Sequence, residues 1–343
     1  MSEPAPLSAA YDVVMLDLDG VVYVGDDAVV HAADVLDGLR QEGVRLAYLT
    51  NNASRPPVKV VERLASVGVT AGVDDVVTSA QAAARLVGER VPAGAPVLLV
   101  GGEGLREALT ERGLRVVTDA RSEPAAVVQG FSDDLDWATL TEGAYAIQAG
   151  VPWFASNTDR TLPTARGPAP GNGALVAALE AATGQRPMVA GKPEPALFRE
   201  TMLRVGGSKP LVVGDRLDTD IEGANRVGAD SLCVLTGVSD LASIAAAPAA
   251  LRPTYVAPDL RALVRPAPVV ERVDEWYVCG TARVRLLERR IDMGREDLGV
   301  DIGADAYERA AGVLQATLAA AKDASDGDLD VADAAAIARD LMR

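Results

Sequence analysis

The sequence predicts an α/β protein with a doubly wound parallel-sheet core, an inserted α/β domain and a small C-terminal α+β appendage. Short apolar runs alternate with segments of helical periodicity, as in the strand–helix–strand units of a parallel sheet. Three of these runs end in acids or hydroxyls, at residues 17–19, 50–52 and 215–220. Between the second and the third lies a long block, residues 80–187, that has the character of an insertion.

The first strand is predicted over residues 13–16, an apolar run that ends in Asp17 and Asp19. A run without polar residues is typical of a strand that is buried on both faces. The two acids alternate about Leu18 and therefore point to similar sides, and Gly20 then allows a sharp turn. A hard cation with oxygen ligands would relieve the repulsion between them. The alternative is that the acids only end the strand and begin a turn.

A helix over residues 32–42 and a second apolar strand over residues 44–49 follow, and this strand runs into Thr50, Asn51 and Asn52. A right-handed crossover would make the two strands parallel and place the polar triplet beside the first acidic turn. An ordinary Asn-rich turn is the alternative.

The remaining elements have the same alternating character. Strands are predicted over residues 76–78, 96–100, 126–129, 151–155, 188–189, 211–213, 231–235 and 254–256, and helices over residues 58–64, from 79, 137–149, 174–182, 195–205 and 221–227. The segment GPAPGNG, residues 167–173, precedes a helix and could offer backbone N–H groups to an anion or serve as a connector. The strand at 211–213 runs into Asp215, Asp218 and Asp220. In a doubly wound sheet, three such strand ends meet at one crevice.

The composition excludes several classes of protein. With 343 residues, 49% apolar and 24% charged, the chain is globular and large enough for about two domains. The formal charge of −16 argues against a nucleic-acid or anionic-membrane partner. No apolar stretch is long enough to span a bilayer and no basic cluster precedes an apolar run at the start, so we expect a cytosolic protein.

Histidine and cysteine are almost absent. Because His31 is the only histidine, hydrolysis by a Ser–His or Cys–His pair is not expected, and acid–base work would fall to carboxylates or lysine. Cys233 and Cys279 have no metal-type spacing and indicate neither a zinc site nor a disulfide framework.

Four segments, DLDG, TNN, GKP and GDRLDTDI, occur in this order with a long insertion between the second and the third. This arrangement resembles the phosphatases of the haloacid dehalogenase (HAD) superfamily. The insertion, with SNTDRTLPT at 156–164 and PGNGAL at 170–175, resembles the C2-capped subclass IIA, the group of para-nitrophenyl, phosphoglycolate and glycerol-3-phosphate phosphatases. The resemblance covers residues 11–265. It implies a Rossmann-like core in two parts, 1–79 and 188–265, a C2 cap at 80–187 and an appendage at 266–343.

The resemblance also implies roles for the acids. Asp17 would be the nucleophile that forms an aspartyl-phosphate, and Asp19 would serve as general acid and then general base. Mg²⁺ would be held by the Asp17 and Asp215 carboxylates and the Asp19 backbone carbonyl. Asp220 would orient a metal-bound water or Lys192.

The same resemblance implies a set of groups that bind the substrate. Thr50, Asn51 and Lys192 would bind the phosphoryl oxygens, and Asn52 would either join them or cap the next helix. In the cap, the candidates are Gly171, Asn172 and Gly173.

The function implied is Mg²⁺-dependent hydrolysis of a small phosphorylated metabolite, with glycerol 3-phosphate as the first expectation. The alternatives are phosphoglycolate, pyridoxal phosphate or a nucleotide as substrate, a phosphotransferase reaction, or a metal-binding regulatory scaffold without activity. A homo-oligomer could form through the cap or through the appendage.

The appendage changes in character after Pro266 and Pro268. One or two strands are predicted within residues 270–292, a long Ala-rich helix over residues 304–322 and a short helix over residues 331–342. This segment loosely resembles a fragment of an acetyltransferase-like domain but has no clear Gly-rich loop for a coenzyme pyrophosphate. We expect it to serve as a packing or oligomer surface, with Trp276 and Tyr277 in its core.

Overall fold

A computed structural model describes residues 4–164, 166–288, 290–293, 306–324 and 329–342. The strands within these residues are β1 (Val13–Asp17), β2 (Tyr23–Val24), β3 (Asp27–Ala28), β4 (Leu46–Thr50), β5 (Val76–Thr78), β6 (Pro96–Val100), β7 (Arg115–Val117), β8 (Ala126–Gln129), β9 (Trp153–Ala155), β10 (Thr161–Thr164), β11 (Gly167–Pro170), β12 (Met188–Val189), β13 (Pro210–Gly214), β14 (Asp230–Val234), β15 (Tyr255–Ala257), β16 (Glu271–Val273), β17 (Trp276–Cys279), β18 (Ala282–Leu287) and β19 (Arg290–Met293). The helices are α1 (Ala32–Gln41), α2 (Pro57–Ser66), α3 (Ser79–Gly88), α4 (Glu103–Glu111), α5 (Trp137–Gln148), α6 (Asn172–Thr183), α7 (Pro195–Val205), α8 (Glu222–Val227), α9 (Leu241–Ala246), α10 (Ala306–Asp323) and α11 (Ala332–Met342).

The chain forms two compact units, which we describe separately. Unit 1 comprises Met1–Leu46, Val67–Val69 and Gly207–Arg343, and unit 2 comprises Ala47–Ser66 and Thr70–Gly206. The four-part division predicted from the sequence stays a prediction.

Unit 1 contains parallel strands in the order β15-β14-β13-β1. The apolar residues of β1 are almost fully buried, as expected for a strand that is covered on both faces. Leu16 lies opposite Val213, and Gly214 lies opposite Cys233. The carboxyl ends of β1, β13 and β14 are therefore neighbours, and the predicted parallel α/β core is confirmed.

The C-terminal part of unit 1 has more strands than the sequence predicts. Instead of one or two, the described residues form the antiparallel sheet β16-β17-β18-β19, with α10 and α11. The edge strand β16 is exposed throughout and so has no apolar pattern to reveal it. Tyr277 is buried as expected, whereas Trp276 is only partly buried and its ring lies 4.5 Å from the Arg285 guanidinium. Helix α10 begins at Ala306, and residues 304–305 of the predicted helix lie outside the described residues.

Unit 2 contains the parallel pair β4-β5, the parallel sheet β12-β9-β8-β6-β7 and the hairpin β10-β11. Helices α5 and α6 pack against the larger sheet through an apolar cluster that includes Leu98, Trp153 and Leu179. The hairpin corrects the prediction for residues 167–170, which form a strand and not a loop. Most of its residues are exposed, so the segment lacks the apolar alternation of a half-buried strand. None of the described helices combines the length and the hydropathy needed to cross a bilayer.

Candidate active site

Three carboxylates of unit 1 lie close together. Asp17 is the last residue of β1, Asp215 directly follows β13, and Asp220 lies in the turn beyond it. One oxygen of each carboxylate lies within 4.8 Å of those of the other two. We call these three residues the acid triad. The structure thus brings Asp17 and Asp215 together, as the sequence predicts for the ends of adjacent parallel strands.

The acid triad has the chemistry of a hard-cation site. Asp215 and Asp220 are each only 1% exposed, and Asp17 is partly exposed. Because water screens buried charges poorly, three carboxylates at this spacing repel one another strongly. Carboxylate oxygens are the preferred ligands of Mg²⁺ and Ca²⁺, and a divalent cation would offset this repulsion. The donor set therefore fits such an ion.

Glycines make room for two of the acids. A Cβ atom at Gly20 or at Gly237 would overlap the Asp215 carboxylate, and a Cβ atom at Gly214 would overlap Asp220. Gly20 also has a φ of +82°, a conformation that residues with side chains rarely adopt. Glycines from three separate segments thus determine where these carboxylates lie.

The loop after β14 fixes the orientation of Asp215. The Val238 backbone N–H donates to Asp215 Oδ2 at 2.7 Å, and the Ser239 N–H donates to the Asp215 carbonyl at 3.0 Å. The Thr236 hydroxyl donates to the Gly20 carbonyl at 2.5 Å. This loop therefore ties the turn after β1 to the segment after β13.

Asp220 projects from a single π-helical turn, Leu217–Ile221. The Arg216 N–H donates to Asp220 Oδ2 at 3.2 Å, and the Arg216 carbonyl accepts from the Asp220 and Ile221 N–H groups. Such turns are frequent at functional sites because they redirect a side chain within a helical segment. The structure places the Asp220 carboxylate within the acid triad, while its orienting role stays a prediction.

Two neighbouring groups have shifted pKa values. The Arg216 guanidinium, which bonds Asp218 at 2.8 Å, lowers the pKa of that exposed carboxyl. Asp218 therefore lies in solvent as one half of an ion pair. Burial raises the pKa of the Cys233 thiol, and the charges of Asp220 and Asp215 raise it further. Cys233 is therefore a protonated, inert core residue next to two of the acids.

Asp19 lies in the turn that follows β1 and is exposed. The Leu18 carbonyl accepts from the N–H groups of Val22 and Tyr23, and the Gly20 N–H donates to the Tyr23 carbonyl. Among the described residues, Asp19 is not a member of the acid triad. Its predicted role as general acid and base stays a prediction.

Asn51 is the centre of a hydrogen-bond network in unit 2. Its Oδ1 accepts from the Lys192 N–H at 2.7 Å, and its Nδ2 donates to the Lys192 carbonyl at 3.1 Å. The same Nδ2 lies 3.2 Å from Asp159 Oδ2, and the Asn51 carbonyl accepts from Asn157 Nδ2 at 2.7 Å. One side chain therefore fixes the backbone of Lys192 and binds the loop after β9.

The other predicted phosphate ligands of unit 2 differ in their surroundings. Thr50 and Lys192 are 5% and 4% exposed, and Thr50 Oγ1 accepts from the Asn52 N–H at 3.0 Å. Asn52 Oδ1 accepts from the N–H and the hydroxyl of Ser54 at 2.8 and 2.7 Å. The Asn52 side chain therefore caps its own turn and not the next helix, which begins at Pro57, and its predicted contact with the phosphoryl group stays a prediction.

The glycine-rich segment Gly171, Asn172 and Gly173 is buried at the N-terminus of α6. A Cβ atom at either glycine would overlap the backbone of Thr158 or Asp159, and Asn172 Nδ2 donates to the Asn157 carbonyl at 2.7 Å. The segment thus packs α6 against the loop after β9. Its predicted contact with substrate stays a prediction.

Sequence reasoning did not assign roles to four of these residues. Asn157 and Asp159 lie in the segment SNTDRTLPT, and Thr236 and Gly237 lie at the end of β14. The sequence does contain a signal for both pairs, because each pair lies just after a predicted strand of a parallel sheet, where such sheets bind their ligands.

Comparison with known proteins gives matches along the chain. Residues 14–115 match the family model for haloacid dehalogenase-like hydrolases, and residues 189–263 match a second HAD-like hydrolase model. The D-glycerol 3-phosphate phosphatase of Mycobacterium tuberculosis is 48% identical over 257 residues, which are 75% of this chain and 72% of that protein. The acid sugar phosphatase of Staphylococcus epidermidis is 36% identical over 74% of this chain and 97% of its own length.

Solved structures agree with these matches. The glycerol phosphate phosphatase of M. tuberculosis in complex with magnesium is 39% identical and covers 96% of this chain and 95% of its own, with a TM-score of 0.83. The p-nitrophenyl phosphatase of Archaeoglobus fulgidus is 30% identical and covers 74% of this chain and 98% of its own, with a TM-score of 0.68.

The glycine at 237 gives a direct test of the acid triad. We expect Gly237→Ala to displace the Asp215 carboxylate and to weaken divalent-cation binding by about tenfold or more, as measured by calorimetric titration. Gly38→Ala is the matched control, because a Cβ atom there meets nothing within 4 Å. Equal cation affinity in the two variants would contradict the proposal that Gly237 determines the position of the Asp215 carboxylate.

Proposed function

This chain belongs to the haloacid dehalogenase-like hydrolase family and is a phosphoric monoester hydrolase, and on that premise we propose that it hydrolyses glycerol 3-phosphate with Mg²⁺ through an aspartyl-phosphate. The observation that carries the proposal is the acid triad, with Asp17 and Asp215 at the ends of adjacent parallel strands. The 48% identity to a D-glycerol 3-phosphate phosphatase supports the choice of substrate.

In the proposed reaction, an Asp17 carboxylate oxygen attacks phosphorus and the bond to the alcohol oxygen breaks. Asp19 gives its proton to the departing alcohol, and Asp17 then carries the phosphoryl group. A water molecule next gives a proton to Asp19 and attacks phosphorus. This second step releases inorganic phosphate and restores both acids. The partly exposed position of Asp17 leaves it accessible for the attack, and the separation of Asp19 from the acid triad supports its acid role.

The cation would be held by the carboxylates of Asp17 and Asp215 and by the backbone carbonyl of Asp19. Asp220 would orient a metal-bound water or Lys192. When bound, Mg²⁺ would supply charge neutralisation for the nucleophile and the phosphate. The chain's own contribution is to fix the acids, because backbone hydrogen bonds and glycines hold Asp215 and Asp220 in place.

The phosphoryl oxygens would be bound by Thr50, Lys192 and the Asn51 N–H, with Asn52 beside them. A fixed lysine favours phosphoryl transfer because negative charge spreads over the equatorial oxygens in the transition state. The bonds from Asn51 to both backbone groups of Lys192 support this role by fixing the start of the lysine side chain. Gly171, Asn172 and Gly173 would contact the alcohol part of the substrate.

We further propose that the chain divides into core segments at 1–79 and 188–265, a cap at 80–187 and the appendage at 266–343. A second proposal is that the protein acts in the cytosol. A phosphorylated metabolite as substrate supports the location. Self-association through the cap or the appendage is a further proposal, which analytical ultracentrifugation would test.

The nucleophile assignment predicts that Asp17→Asn loses about a thousand-fold or more in kcat, because an amide cannot form the acyl phosphate. The measurement is release of inorganic phosphate from glycerol 3-phosphate at saturating Mg²⁺. Asp27→Asn, at an exposed acid of the β2-β3 hairpin, is the control and should keep full activity. Activity in the Asp17 variant within tenfold of the unaltered protein would refute the assignment.

The substrate assignment predicts the highest kcat/KM for glycerol 3-phosphate in a panel that also contains phosphoglycolate, pyridoxal phosphate, a hexose phosphate and a nucleoside monophosphate. A higher value for the hexose phosphate, which is a sugar phosphate, would instead favour the activity named for the Staphylococcus epidermidis relative, an acid sugar phosphatase. Addition of glycerol as acceptor, with product analysis, distinguishes hydrolysis from phosphotransfer.

The Asn51 network predicts that Asn51→Ala lowers kcat by about ten- to a hundredfold, because Lys192 loses both backbone bonds that place it. Cation affinity should stay unchanged, since the hydrogen bonds of Asn51 given above involve no member of the acid triad. Asn225→Ala is the matched control, because the Asn225 Nδ2 also donates to two backbone carbonyls, those of Ala250 and Arg252, neither of which belongs to a candidate site residue. Unchanged kcat in the Asn51 variant would exclude a positioning role.

A further inference from the structure

The described C-terminal residues, from β16 to α11, share one apolar core with the parallel sheet of unit 1. We call them the C-terminal module. The cluster joins residues of the sheet and its helices, namely Ile221, Cys233, Leu241, Ile244, Ala245 and Val256, to residues of the module that include Tyr277, Val284, Ile291, Val313, Leu314 and Leu318. The module is therefore built into the core of unit 1.

Helix α10 is the centre of this shared core. It is buried on nearly all sides between Tyr307 and Ala321, and it contacts β15, α9, β17, β18 and α11. Gln315 covers the open edge of β15: its Oε1 accepts from the Val256 N–H at 3.0 Å and its Nε2 donates to the Thr254 carbonyl at 3.4 Å. These two hydrogen bonds pair backbone groups on the edge of the sheet that no neighbouring strand among the described residues pairs.

Core residues contributed by the parallel sheet and its helices are immediate neighbours of the acid triad, along the chain or in the sheet. Ile221 follows Asp220 in the chain, and Cys233 lies opposite Gly214, the residue before Asp215. Leu241 begins α9, two residues after Ser239, whose N–H bonds the Asp215 backbone.

The loop from Thr236 to Ser239 is held between two fixed points. At one end it follows β14, and at the other Asp240 caps α9, accepting from the Ser243 N–H at 2.8 Å. Helix α9 packs on α10, so the loop that carries the Val238 N–H, which bonds Asp215 Oδ2, is connected to the module through α9. Close-packed cores transmit small displacements because they contain little free space.

We propose that the C-terminal module positions Asp215 and Asp220 and thereby sets the affinity of the acid triad for its divalent cation. This inference rests on the proposed function, in which the triad holds Mg²⁺. Mg²⁺ demands near-ideal octahedral geometry, so small shifts of two carboxylates change its binding more than they change the fold. The module acts through side-chain packing, without a ligand of its own.

The test uses truncations of leucines in α10 within the full chain. We expect Leu314→Ala and Leu318→Ala to weaken Mg²⁺ binding by about tenfold in calorimetric titrations, and to lower the increase in melting temperature that saturating Mg²⁺ gives the protein. Leu314→Val and Leu318→Val are milder variants that keep the test valid where an alanine variant does not fold. The kcat at saturating Mg²⁺ should change less than the Mg²⁺ affinity.

Leu179→Ala is the matched control, because Leu179 is also a buried helical leucine, 3% exposed, and belongs to the separate apolar cluster of unit 2. It should lower stability and leave Mg²⁺ affinity unchanged. If the leucine variants in α10 destabilise the protein but bind Mg²⁺ within twofold of the unaltered chain, the positioning role is wrong and the proposed function stands. If the unaltered protein neither binds Mg²⁺ nor releases phosphate, the proposed function fails and the inference fails with it.

Discussion

Repulsion among three carboxylates is the constraint on which the rest of unit 1 depends. Asp17, Asp215 and Asp220 come from segments far apart in the chain, and two of them are almost fully buried. Such an arrangement is unfavourable unless the surrounding structure imposes it or a cation compensates it. In this structure, backbone N–H groups donate hydrogen bonds to Asp215 and Asp220, and these groups do not titrate. Glycines leave the space that the two carboxylates occupy. The fold therefore fixes these two carboxylates through its own backbone and glycines.

The parallel sheet explains why the acids and the loop that binds Asp215 lie at these positions. Parallel strands end at one edge, and short loops from that edge can bring distant residues within a few ångströms of one another. Strand β1 supplies Asp17, β13 leads to Asp215, and β14 leads to the loop that binds Asp215. Each strand end thus contributes either an acid or a group that orients one. The composition agrees with this arrangement, because the chain is rich in carboxylates and its one histidine, His31, is exposed.

The sequence allowed the parallel core and the positions of Asp17 and Asp215 to be predicted, because buried strands produce apolar runs and acids interrupt them visibly. It did not reveal the hairpin β10-β11 or the edge strand β16, since these strands are largely exposed and lack an apolar pattern. The π-helical turn that carries Asp220 was also missed, because its five residues are too few to show a hydrophobic periodicity. Similarly, the role of Gly237 depends on a carboxylate distant in sequence, which no local pattern encodes.

The shared core also determines what the C-terminal module can be. An independent appended domain would bury its own apolar residues and meet the core through a polar surface. Here α10 is buried on nearly all sides, and Gln315 pairs with the backbone of β15 as a neighbouring strand would. Removing the module would expose α9 and the edge of the sheet together, with the loop that holds Asp215 attached to that helix. The module and the loop that holds Asp215 are therefore parts of one packed structure.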